Sequence, residues 1–306
     1  GIDAASSVNY AIGGTATNSS DYNNIGGTSV ATRVTGTVNF VAGETSKTIA
    51  LDVLGDAIIE PDETITVTLS NPVAPGLTPT ITTAAATTTI SNDDTAGVTV
   101  NPIGGLVTTE AGGTATFTVK LNTLPSANVS IGLSSDNPAE GTVSSNSLTF
   151  TPANWNQPQT VTVTGVDDSL ADGSKTYNIV TAATVSTDTN YSNLNPDDVS
   201  VSNSDNETPG ITINPASTTA TEGGATGNYS VQLNTQPSAL VTVSFDAGNQ
   251  ISAIGPITFD ATNWNVAKSV TATATNDTVV EGNHAGAIGH SSTSTDVKYN
   301  SITIGA

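Results

Sequence analysis

Apolar and polar residues alternate with period two along much of the chain, as in TITVTLS (64–70), TATFTVKL (114–121), VTVTG (161–165) and VTVSF (241–245). Successive side chains of a strand point to opposite faces, so this pattern predicts antiparallel strands with one face buried. No segment carries the 3.6-residue period of an amphipathic helix. Gly, Asn, Asp and Pro collect between the alternating runs and mark turns. About seven strands in each stretch of about 110 residues predict Greek-key β-sandwiches, and the fold class is all-β.

The pattern itself repeats. GVTVNP (97–102) returns as GITINP (210–215), and TTEAGGTATFTVKLNTLPSANVSI (108–131) as ATEGGATGNYSVQLNTQPSALVTV (220–243). LTFTPANWNQPQTVTVTGVDDSLADG (148–173) returns as ITFDATNWNVAKSVTATATNDTVVEG (257–282), and STDTNY (186–191) as STDVKY (294–299). A more diverged copy, GTVNFVAGETSKTIALDVLGDAIIEPDE (36–63), sets Phe40 against Phe150 and Phe259, and Asp56 against Asp168 and Asp277. This period is far above the 20–50 residues of a solenoid unit, so each copy is large enough to own a core. Three domains are expected, at 1–95, 96–208 and 209–306, with short junctions and no long flexible linker. The first lacks the counterparts of the opening strands of the second, and the third lacks the last. Two explanations stand: the chain is a slice of a longer array, or copies complete each other by strand exchange.

Composition narrows the function. Lys plus Arg is 6 against 27 Asp plus Glu, a formal net charge of −21, which argues against a nucleic-acid partner. No apolar run approaches the ~20 residues of a membrane helix, so membrane insertion is not expected. The absence of cysteine excludes a disulfide framework and Cys-based metal sites. No nucleophile elbow, P-loop or dinucleotide fingerprint is found, and aromatics are only 4%, too few to line a sugar cleft, so no enzyme is expected.

The acids are concentrated rather than scattered. VDDSLADG (166–173) follows a predicted strand and places Asp167, Asp168 and Asp172 within six residues. An acid, three residues and a second acid recur at this point in each copy, as Asp56 and Glu60, Asp168 and Asp172, Asp277 and Glu281. Two carboxylates ~4 Å apart repel by about 4 kcal/mol at an effective dielectric of 20. Ca²⁺ relieves this with 6–8 oxygen ligands at flexible geometry, whereas Mg²⁺ wants stricter geometry, and no His or Cys joins the acids to favour zinc or copper. The plainer alternative is that Asp suits turns and keeps a sandwich soluble.

GTVNFVAGETSKTIALDV, GDAIIEPDETITVTLSNP and ATTTISNDD, preceded by SSDYNNIGG, together resemble the Calx-β domain, and FTPANWNQPQTVTVTGVDD resembles a Calx-β-like variant of bacterial repeat proteins. The resemblance implies an immunoglobulin-like sandwich of two antiparallel sheets with acids from several loops meeting around calcium at one end. By that resemblance the first copy offers Asp21, Asp56, Glu60, Asp93 and Asp94. The second offers Glu110, Asp167, Asp168, Asp172 and Asp205, with Asp136 as a stand-in for the Asp-Tyr stretch. The third offers Glu222, Asp277 and Glu281, and is the weakest because Asn276 replaces the first loop acid. Trp155 and Trp264, both in NWN, are read as rings packing over one end of a sandwich rather than as a glycan platform. His284 and His290 could share a strand face. The expected function is a calcium-stabilised rod, stalk or fibre segment of a bacterial extracellular or cell-surface protein. The alternative is an adhesin-type module that binds a glycan or a surface protein.

Overall fold

Strands form where the alternation is strongest, and nearly all regular structure is β. The computed structural model describes residues 4–27, 34–280 and 282–304. The first repeat holds β1 (Ser6–Gly14), β2 (Tyr22–Asn23), β3 (Thr35–Phe40), β4 (Asp52–Val53), β5 (Glu63–Val73) and β6 (Ala85–Ile90), with one 3-10 turn at Ile25–Gly27. The second holds β7 (Val98–Asn101), β8 (Leu106–Thr109), β9 (Thr114–Leu121), β10 (Val129–Ser135), β11 (Gly141–Val143), β12 (Ser147–Phe150), β13 (Gln159–Gly165), β14 (Lys175–Thr181), β15 (Val185–Ser186) and β16 (Val199–Ser204). The third holds β17 (Ile211–Asn214), β18 (Gly227–Leu233), β19 (Val241–Asp246), β20 (Ile257–Phe259), β21 (Lys268–Ala272) and β22 (Gly289–Ser294).

The second repeat is a two-sheet sandwich, one sheet ordered β12-β10-β14-β16-β8 and the other β11-β13-β9-β7. Its inner faces meet as the alternation requires. Phe117, Val119 and Leu121 of β9 and Val161 and Val163 of β13 face Val129, Ile131, Ile179 and Val199 of the other sheet, all at most 1% exposed. Removing that much apolar surface from water is the dominant stabilising contribution. Trp155 packs half-buried against this core, and its carbonyl accepts the Leu121 N–H. Trp264 does the same in the third repeat, where its carbonyl accepts from Leu233.

The first and third repeats carry fewer strands, and the missing ones follow a rule of ladder pairing. In the second repeat β8 pairs in parallel with β16. Among the described residues the third repeat has no counterpart of β16, and residues 218–221, which match β8, form no strand. Likewise β9 pairs with β13, while residues 46–51 of the first repeat, matched to β13 but in no ladder among the described residues, form no strand. Alternation alone therefore does not make a strand; a backbone partner is also required.

One turn in each of the second and third repeats is held by a buried tyrosine. The Tyr191 hydroxyl donates to Thr123 O at 2.7 Å and accepts the Thr123 N–H at 2.9 Å. Tyr299 repeats this on Thr235, at 2.8 and 3.0 Å, and both rings are 0% exposed. Asp188 and Asp296 support the same turns by accepting the N–H groups of Ser126 and Ser238. Tyr191→Phe leaves a buried N–H and C=O of Thr123 without their partner. It is expected to destabilise the second repeat by about 1–3 kcal/mol in chemical denaturation, and an unchanged midpoint would refute this.

His284 and His290 do not share a strand face, because β22 begins only at Gly289 and His284 lies exposed in the preceding loop. His290 is packed edge-on between Tyr229 and Phe245, and burial lowers its pKa.

Candidate metal centre

The loop after β13 needs close backbone approach before it can present its acids. Gly165 ends β13, and a Cβ there would stand 2.2 Å from Thr109 O, so only glycine lets the chain pass against the end of β8. The loop then turns on Asp168, whose Oδ1 accepts the Leu170 N–H at 2.6 Å. The same turn recurs at Asp56, accepting from Ile58 at 2.8 Å, and at Asp277, accepting from Val279 at 2.7 Å. All three repeats thus build the loop the same way, and the first Asp of each pair is a turn-former whatever else it does.

In the second repeat this loop meets two buried glutamates from other elements. Glu110, directly after β8, is 2% exposed, and Glu140, directly before β11, is 7% exposed. One oxygen each of Glu110, Asp168 and Glu207 lie within 4.8 Å of one another, and so do one each of Glu140, Asp168 and Asp172. Asp168 therefore belongs to both groups. Glu140 is fixed from behind by Asn203, fully buried, whose Nδ2 donates to Glu140 Oε2 at 3.3 Å and to Val166 O at 3.0 Å. Asn203 in turn accepts from Thr108 Oγ1 at 3.0 Å. Glu110 accepts the Asn206 N–H at 3.2 Å.

In the first repeat Asp21, Glu60 and Glu63 form the corresponding group. Asp21, between β1 and β2, is 8% exposed, and Glu63 opens β5. These three residues line one concavity together with Asp56, Asp93 and Asp94. All five acids expected for this repeat are thus in one place.

Sequence reasoning missed three members: Glu63, Glu140 and Glu207. Asp136, the expected stand-in, instead caps Asn178, accepting its N–H at 2.8 Å and its side-chain amide at 3.0 Å, while Glu140 from the same SSDNPAEG stretch enters the group. Asp205 accepts the N–H groups of Gly173 and Glu207 and so shapes the loop, while Glu207 two residues on joins Glu110 and Asp168. Asp167 is exposed and accepts from Asn206. Asp172 pairs with Lys175 at 3.2 Å, so the loop is not wholly without a cation. In the third repeat Glu222 and Asp277 are exposed and join no acidic group among the described residues; Glu281 lies outside them.

The electrostatics are those of crowded carboxylates. Burial, then the neighbouring Glu110 and Asp205, push Glu207 up to about 7. Burial and the charges of Asp205 and Asp168 raise Glu110, and desolvation with Asp21 and Glu60 beside it raises Glu63. Asp172 Oδ1 and Glu207 Oε2 are buried and find no donor among the described residues. Carboxylates held this way need a shared proton or a cation. Oxygens within 4.8 Å of one another fit around Ca²⁺, whose ligands lie at 2.3–2.6 Å, and loop-built oxygen sites suit its flexible coordination.

The acidic loops also stand at the junctions. Ala57, next to Asp56, accepts the N–H of Leu124 in the second repeat at 2.8 Å. Ser169, next to Asp168, accepts the N–H of Gln236 in the third repeat at 2.8 Å. Leu124 and Gln236 hold the same place in LNTLPS and LNTQPS, the turns fastened by Tyr191 and Tyr299. One inter-repeat hydrogen bond therefore occurs twice, each time on the carbonyl after the first Asp of the loop.

Comparison with known proteins follows the same lines. None of the curated proteins matches. The solved structure of CBD12 from CALX1.2 is similar at 18% identity over 62% of this chain and 72% of its own, with a TM-score of 0.33. The calcium binding domain CBD12 of CALX1.1 is similar at 17% identity over 60% of this chain and 69% of its own, also with a TM-score of 0.33. The family model of the Calx-beta domain matches residues 1–94 and 106–207, well over half of the chain, and the protein belongs to the Calx-beta domain family.

Proposed function

We propose that the chain is a rod segment of an extracellular or cell-surface protein in which calcium, held at the acidic loops, stabilises the repeats and stiffens their joints. Calx-beta domains are calcium-binding β-sandwich modules. In this chain Asp21, Glu60 and Glu63, with Asp56, Asp93 and Asp94 around them, would hold calcium in the first repeat. Glu110, Glu140, Asp168, Asp172 and Glu207 would hold it in the second. The ion supplies positive charge that turns mutual repulsion into shared coordination.

The observation that carries the rod reading is the twice-repeated hydrogen bond from the LNT-x-PS turn to the acidic loop of the preceding repeat. A loop that is ordered by calcium and at the same time seats the next repeat couples ion binding to the angle between repeats. The negative charge of −21 suits a saline, calcium-rich medium.

Small-angle scattering of the chain in EDTA and in millimolar CaCl₂ tests this. The maximum dimension is expected to lengthen and its distribution to narrow with calcium, and not with MgCl₂. Calorimetric titration should give a Kd of roughly 10⁻⁴ to 10⁻³ M, the range of extracellular modules. A sub-micromolar Kd would instead describe an intracellular sensor and overturn the extracellular reading.

A further inference from the structure

Alternation along β16 puts Val199, Val201 and Asn203 on the inward face, so the third core position of this strand holds an amide. Beside it, Thr108 of β8 is fully buried and stands opposite Asn203 in the parallel ladder. Buried polar side chains are unfavourable unless each group finds a partner. These do, and all in one direction. Thr108 Oγ1 donates to Asn203 Oδ1 at 3.0 Å, so its proton is committed. The hydroxyl of Tyr177 in β14 therefore donates to Thr108 Oγ1, at 3.3 Å. Asn203 Nδ2 donates in turn to Glu140 Oε2 at 3.3 Å and to Val166 O at 3.0 Å. Tyr177, Thr108 and Asn203 thus form one line of donors that ends on a buried carboxylate, and each bond polarises the next. Two glycines leave room for it. A Cβ on Gly141 would collide with the Tyr177 hydroxyl, and one on Gly165 with Asn203 Oδ1.

We propose that Asn203 is a positioning residue for calcium: its amide, aimed by Thr108 and Tyr177, sets Glu140 and the Asp168 loop at a fixed separation before the ion arrives. The inference rests on reading the acidic groups as calcium sites. The two acceptors of Asn203 lie on different ligand-bearing segments. Glu140 directly precedes β11, and Val166 opens the loop that carries Asp168 and Asp172. One oxygen each of Glu140, Asp168 and Asp172 lie within 4.8 Å of one another, so this amide ties together the two parts of that group. A glutamate already held in place loses less rotamer freedom when it takes up the ion. The asparagine recurs at the end of the matched strand of the first repeat, ISN at 90–92 against VSN at 201–203. There Asn92 Oδ1 accepts the Glu60 N–H at 3.2 Å, again on the acidic loop. Asn203 acts through Glu140 and Val166 and is not itself a ligand.

The test is unfolding of the whole chain over a CaCl₂ series, followed by Trp155 fluorescence in a Trp264→Phe background. Trp155 packs on the second core, so the signal reports that repeat, and the dependence of its stability on calcium gives its Kd. Asn203→Leu is expected to raise this Kd by about 10–100-fold, the usual effect of removing a group that orients a metal ligand. Thr108→Val removes only the hydroxyl that aims the amide, and should raise it by less. If Asn203→Leu does not fold, Thr108→Val carries the test. Lower stability in EDTA with an unchanged Kd would make the asparagine merely structural and overturn the proposal. Combining Asn203→Leu with Glu140→Gln separates positioning from general damage. The double variant should lose clearly less affinity than the product of the two single losses, because a neutral side chain gains less from being placed. Losses that simply multiply overturn the proposal. A parent chain whose stability ignores calcium overturns the calcium reading and this inference with it, whereas a calcium-binding parent matched by Asn203→Leu overturns this inference alone.

Discussion

Asp168→Asn is expected to raise the melting temperature of the second repeat in EDTA and to lower it in millimolar calcium. Asp168 is the one residue shared by both acidic groups of that repeat. Without an ion, its charge is one of those that raise the Glu110 pKa, so neutralising it relieves repulsion. With calcium, the same change removes a charged ligand from both groups. Calcium at a hundredfold excess over Kd stabilises by about 2.7 kcal/mol, so losing most of that lowers the melting temperature by roughly 10 °C. Asn keeps an oxygen to accept the Leu170 N–H, so the turn itself survives. Asp136→Asn is the matched control. It sits outside both groups and caps Asn178, so it should leave the difference between EDTA and calcium unchanged. Equal melting of the parent chain in EDTA, MgCl₂ and CaCl₂ would show instead that the acids are a solvating surface.

The sandwich of the second repeat could be read from alternation because each of its strands has a partner within reach. Phe117, Val119 and Leu121 are predicted inward by period two alone, and they are inward. The same reading misleads at residues 46–51, where Ile49 and Leu51 alternate as Val161 and Val163 do in β13 and yet form no strand. A side-chain pattern says which face is apolar and carries no information on whether a ladder partner is present. The metal centre follows a similar division. The loop acids were visible because they break an otherwise regular strand and recur at one register. Glu140 and Glu207 were not, because each stands near a more conspicuous Asp that the fold uses for backbone capping: Asp136 on Asn178, Asp205 on Gly173 and Glu207. In each case the Asp is taken up by backbone N–H groups, across to Asn178 and Gly173 as well as locally at Glu207, and the neighbouring Glu is left to join the acidic group. Glu63 was hidden for another reason, as the first residue of a strand whose alternation it also satisfies.

Calcium binding by the second repeat is expected to be proton-linked through Glu207. Its pKa of about 7 in the folded state stands above the ordinary 4.5 of the side chain, which the unfolded chain retains. Between those values the folded state holds a proton that the unfolded state does not. In EDTA, therefore, stability from this group is fully present below about 4.5 and is lost as pH rises through about 7. The metal-free repeat should melt higher at pH 5.5 than at pH 8. Calcium requires the deprotonated carboxylate, so its affinity should weaken by up to about tenfold per unit below pH 7, and each bound ion should release a proton. Melting in calcium is then expected to show the opposite trend, with the gain over EDTA growing from pH 5.5 to pH 8. Asp188 and Asp205, whose pKa values are lowered, lose their contributions only below about pH 4 and stay out of this window. His290 belongs to the third repeat, and burial lowers its pKa, which makes that repeat less stable in acid. Trp155 fluorescence in a Trp264→Phe background separates the two, since Trp155 packs on the second core alone. Glu207→Gln should flatten both pH trends in that signal. Retention of the crossing in Glu207→Gln would move the linkage to Glu110, the other glutamate of the same group with a raised pKa.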